Sequence, residues 1–206
     1  GLFLGSRRTE RAGKQFWDAS HRLLMNREAQ AAVFENGPSL ILDDGLPYDR
    51  CHVGLVTDLD GWADLARHDV HEPAQMFKVL RTQVDVVLSD GVAVLNAADS
   101  RIVEMAELCD GEVVLYAADP ANPALAAHVA TGGRAVTLRQ GRPVLMAPSG
   151  EQLGMDLAGL MARRGHAGDA EWLEALLAAV ATAWAFGITH ELIAAGIETF
   201  EIKAAA

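Results

Sequence analysis

Residues 92–130 read VAVLNAADSRIVEMAELCDGEVVLYAADPANPALAAHVA, and this stretch decides the fold class. Val92–Leu95 is a short apolar run of strand type. Ser100 can then cap a helix over Arg101–Cys109, in which Ile102, Met105, Ala106 and Cys109 fall on one face. Val113–Tyr116 returns as a strand, and Pro123–Ala130 reads as a second helix, with proline suited to a first turn. Strand, helix, strand, helix is the pattern of parallel strands joined by crossovers that pack on the sheet faces. The expected class is α/β, a mostly parallel sheet with flanking helices.

Working outward, Ala31–Phe34 and His52–Val56 are strand-like, Pro73 opens a helix through Phe77 and Leu80, and Asp90-Gly91 is a turn signal. Downstream, Arg134–Leu138 and Arg142–Met146 flank Gln140-Gly141 as a β-hairpin. The glycine-rich stretch 150–168 reads as a mobile connection. Two helices follow, Ala170–Phe186 and His190–Phe200, with Gly187 as the stop between them. Leu176, Leu177, Val180 and Trp184 lie on overlapping faces, suited to the core or to a partner.

The chain has 206 residues, half of them hydrophobic, and a formal net charge of -11. Residues 1–206 read as a single domain that needs neither disulfide nor metal to fold. The acidic balance excludes a nucleic-acid binder, whose affinity comes from clustered Lys and Arg. Cys51 and Cys109 show no CxxC spacing and read as reduced thiols of a cytoplasmic protein. No secretory leader is visible, and no initiator Met is present, so the chain reads as a fragment or C-terminal domain of a longer protein. The apolar stretch Leu176–Ile188 falls short of the roughly 20 residues that span a bilayer, so no membrane partner is expected.

Few residues stand out for chemistry. Gly132-Gly133 lacks the following Lys of a phosphate loop and reads as a plain turn. His68 and His71 are three apart with Asp69 between them and Pro73 after, which favours a solvated loop over a metal pair. Asp58, Asp60 and Asp64 follow the strand His52–Val56 directly. In open α/β sheets ligands sit beyond the carboxyl ends of strands, so these acids are placed either for a magnesium or phosphate site or as charges on a solvated loop. Glu35 would lie beside them if its strand neighbours His52–Val56.

Several longer runs carry a family resemblance. Tyr48-Asp49-Arg50-Cys51-His52-Val53-Gly54-Leu55-Val56-Thr57 resembles a segment of cyanophycin synthetases. So do Arg81–Gly91, Ala93–Ala97, Val103–Val113, Ala183–Ile188 and Ala195–Phe200. The likeness is to the Mur-ligase-like half of those enzymes, which implies a Mur-ligase central-domain-like fold. In that family an ATP-grasp domain and a Mur-ligase-like domain activate carboxylates as acyl phosphates and join aspartate and arginine into a polymer.

The resemblance also implies losses. The P-loop and the C-terminal lobe of a Mur ligase are absent from this chain. Glu35 falls at the metal acid, but Asn36-Gly37-Pro38-Ser39-Leu40 replaces Thr-Ala-Arg-Gly-Gly. The family's Asp-His pair falls on Trp62-Ala63, its Lys on Leu80, the first Asp of Asn-Ala-Asp-Asp on Ala98, and a nucleotide-contacting Asn on Ala175. Glu35 and Asp58 remain as vestigial metal positions, and Asn96 and Asp99 as vestigial nucleotide positions. The expectation is a degenerate domain with no catalytic residue and no cofactor of its own. It would act as a scaffold or homo-oligomerisation module beside the ATP-grasp domain of its parent protein. The alternative is a domain that still binds ATP and magnesium within an active ligase.

Overall fold

The computed structural model describes Leu2–Leu4, Arg7–Glu10 and Phe16–Phe200. β1 (Leu2–Leu4) and β2 (Arg7–Glu10) pair as a small antiparallel ladder, followed by α1 (Phe16–Leu24) and α2 (Pro38–Asp43). The main sheet begins with β3 (Cys51–Val56). A 3₁₀ segment (Trp62–His68), α3 (Pro73–Leu80) and α4 (Thr82–Asp85) then lead to β4 (Val87–Asn96). α5 (Ser100–Glu104) continues as a 3₁₀ turn (Met105–Leu108) into β5 (Glu112–Ala117), and α6 (Pro123–Ala130) leads to β6 (Arg134–Arg139). β7 (Arg142–Ala147), β8 (Gly150–Leu153), α7 (Leu157–Arg163), α8 (Ala170–Ala185) and α9 (His190–Thr199) complete the described chain.

The six strands lie in the order β3-β4-β5-β6-β7-β8. β3 to β6 are parallel, whereas β7 and β8 add antiparallel. The mostly parallel α/β sheet with flanking helices is therefore as expected. Each face carries its own core. One packs Val56, Ala93, Leu95 and Leu115 under Met76, Val84, Ile102, Met105 and Leu125. The other packs Val94, Val114, Tyr116 and Val136 under Leu177, Ala178, Val180 and Ala181 of α8. Alternating strand residues thus feed both faces, and burial of each such aliphatic side chain contributes roughly 1.5–3 kcal/mol.

Local signals explain most boundaries. Gln140 and Gly141 both take positive φ, 52° and 76°, as the two-residue turn of the β6–β7 hairpin requires. α8 stops where Ile188 N–H donates to Ala183 O and Gly187 N–H to Trp184 O, each at 3.0 Å, with Gly187 at φ 84°. That is a Schellman stop, and it needs the left-handed residue that glycine supplies. Leu177 and Val180 of this helix close the chain's own core, with Trp184 packed beside them.

Several expectations differ from the structure. Ala31–Phe34 forms no strand: Val33 is 94% exposed, and β3 pairs only with β4 in the sheet. An apolar run becomes a strand only where a neighbour takes up its backbone groups. Asp90-Gly91 is not a turn but lies inside β4, beside an irregularity in the pairing with β3 between Cys51 and Val53. A side chain at Gly91 would meet His52 O at 2.6 Å, so this glycine serves a close backbone approach. The cap of α5 is Asp99, which accepts Arg101 N–H, and Ser100 is the first helical residue. The stretch 150–168, read as a connection, contains β8 and α7.

Candidate functional site

The carboxyl ends of β3, β4 and β5 bring Thr57, Asp58, Asn96, Asp99 and Asn122 to one edge of the sheet. β4 ends on Asn96, which is buried. Its Nδ2 donates to Thr57 O at 2.9 Å, bridging to the end of β3, and its Oδ1 accepts Ala98 N–H at 3.0 Å. Asp58 accepts the Thr57 hydroxyl at 2.8 Å and Asp60 N–H at 3.0 Å, one on each carboxylate oxygen. Asp99 accepts Arg101 N–H at 2.9 Å and Nε at 3.0 Å on Oδ1, while Arg101 Nη2 sits on Oδ2. Hydrogen bonds from Arg101 hold the Asp99 carboxyl below the usual carboxylate range.

Asn122 extends the lacing. It caps α6 by accepting Ala124 and Leu125 N–H, and its Nδ2 donates to Ala97 O at 2.8 Å. Ala97 N–H in turn donates to Tyr116 O at 2.7 Å. Beneath the edge, Tyr116 is buried, and burial pushes its phenol up, with the Glu174 and Asp58 charges adding to the effect. Neither Asn122 nor Arg101 was singled out from sequence. The available signals were the Asn before Pro123, a cap followed by a first-turn proline, and the Arg two residues after Asp99.

Glu35 lies apart from this lacing. It is exposed in the segment before α2, and the strand that was to set it beside β3 is not formed. Its neighbour Asn36 is buried and donates to Tyr48 Oη at 2.8 Å and Gln83 Oε1 at 3.2 Å, residues that precede β3 and β4. Among the described residues no group of three or more His, Cys, Asp or Glu is arranged to hold a metal ion. Asp64 is exposed in the 3₁₀ segment, and His68 Nε2 lies 3.1 Å from Asp43 Oδ1. His71 follows that segment with its N–H bound to Gln75 Oε1.

The positions of the expected losses are also defined. Leu80 is the buried last residue of α3, and Trp62 packs against the core from the start of the 3₁₀ segment. Ala98 contributes only its backbone N–H, to Asn96. Ala175 lies within α8 and is exposed, six positions after the capping Asp169, so it does not stand ahead of the helix as the resemblance implied. Gly132-Gly133 is a turn, with Gly132 at φ 88°. The space over Gly133 is filled by His128, whose ring would lie 2.3 Å from an added Cβ. His128 Nε2 is itself 3.1 Å from Val113 O, so this ring fastens α6 to β5 and leaves no phosphate cradle. Cys51 and Cys109 are free thiols, and burial raises the Cys51 thiol. No helix of the described residues is long and apolar enough to cross a membrane.

No protein-family model matches the chain. Among curated proteins it is similar to the cyanophycin synthetase of Crocosphaera subtropica, 28% identical over 99% of this chain and 23% of that protein. It is similar also to that of Synechocystis sp., 32% identical over 88% of this chain and 21% of that protein. Among solved structures, a crystal structure of MurF from Acinetobacter baumannii overlaps 74% of this chain and 30% of its own, with 19% identity and TM-score 0.47. Another MurF crystal structure from the same organism overlaps 82% of this chain and 32% of its own, with 16% identity and TM-score 0.47. The chain spans about a fifth of the length of the curated relatives it matches. Through nearly its whole length, it is a relative of one segment of the cyanophycin synthetases.

Proposed function

We propose that the chain is the Mur-ligase-like domain of a cyanophycin-synthetase-type, ATP-dependent ligase, and that it serves there as a structural or oligomerisation scaffold. The observation that carries this reading is the state of the carboxyl edge. Asn96, Asp58 and Asp99 spend both polar atoms of their side-chain heads on Thr57, Ala98, Asp60 and Arg101. Stabilising a transferring phosphoryl group needs donors and cations aimed at the ligand, and here the Asn96 amide is aimed at Thr57 O and the Arg101 guanidinium at Asp99. The ATP-grasp domain of the same parent protein would perform the chemistry, in keeping with a chain that matches only about a fifth of its relatives.

One observation favours the alternative, a domain that still binds magnesium and nucleotide. Glu35 is exposed and makes no hydrogen bond or ion pair with another described residue, so its carboxylate is uncommitted. Calorimetric titration of the chain with magnesium and ATP at two temperatures separates the readings. The scaffold predicts no saturable heat at submillimolar concentrations. Saturable heat that Glu35→Ala abolishes would overturn it.

A further inference from the structure

We draw no further inference here: the strongest candidate, the open cavity of about 440 Å³ between the start of β6, β8 and the α8–α9 turn, carries none, because Arg134 pairs with Glu112 through one guanidinium nitrogen and lies over the Trp184 ring, His190 lies against Glu191, and nothing in the structure shows what occupies it.

Discussion

Asn96 is the residue on which the sheet edge depends, since one amide group joins the end of β3 to the turn after β4. Asn96→Ala leaves a carbonyl and an N–H without partners, and the expected cost is about 2 kcal/mol in urea unfolding. A loss near zero would mean that water replaces both bonds. Thr137 presents the opposite case. It is 1% exposed in β6, and its hydroxyl has no hydrogen-bond partner. Thr137→Val removes an unsatisfied polar group at nearly constant shape, so stability should rise by about 1 kcal/mol. The Asn96 bridge was beyond the reach of sequence reasoning because its partner lies 39 positions away. Asp58 follows β3 as its position in the chain dictates, but its use as a turn acceptor, and that of Asp99 as a cap, depend on side-chain geometry that spacing does not carry.

Elements with their own punctuation were legible. α6 announces itself by Pro123, the hairpin by Gln140-Gly141, and the end of α8 by Gly187. Ala31–Phe34 and Asp90-Gly91 misled because strand identity is settled by the neighbouring strand, which a local window does not contain. Packing between elements yields a separate expectation at Gly133. Gly133→Ala would drive the His128 ring out of its place between α6 and β5, costing roughly 1–3 kcal/mol. If the clash is the cause, His128→Ala in the same chain should relieve most of the added cost, read as a coupling energy in a double-mutant cycle. Additive effects would place the penalty in the backbone instead.

For the whole molecule, the charge of -11 is held by carboxylates of which several are engaged. Arg101 lowers the Asp99 carboxyl, Arg139 that of Glu151, the Trp172 N–H that of Asp169, and the Glu191 N–H its own side chain. A folded-state value below the unfolded one contributes stability that is present above the unfolded value and lost as pH falls through the folded one. Thermal melts should therefore show the melting temperature dropping once pH passes below about 4, where ordinary carboxylates protonate. High salt should weaken the effect at the exposed Arg139–Glu151 pair most. A melting temperature that stays level down to about pH 3 would show that these pairs do not stabilise the fold.

The sheet also has a temporal meaning. From β3 to β8, spatial order repeats chain order without exception. After β3, every strand meets a neighbour that the ribosome has already released. This order keeps the sequence separation of pairing partners smaller than a reordered sheet of the same strands would. The nascent domain can grow by accretion, each new strand covering the raw edge left by the last.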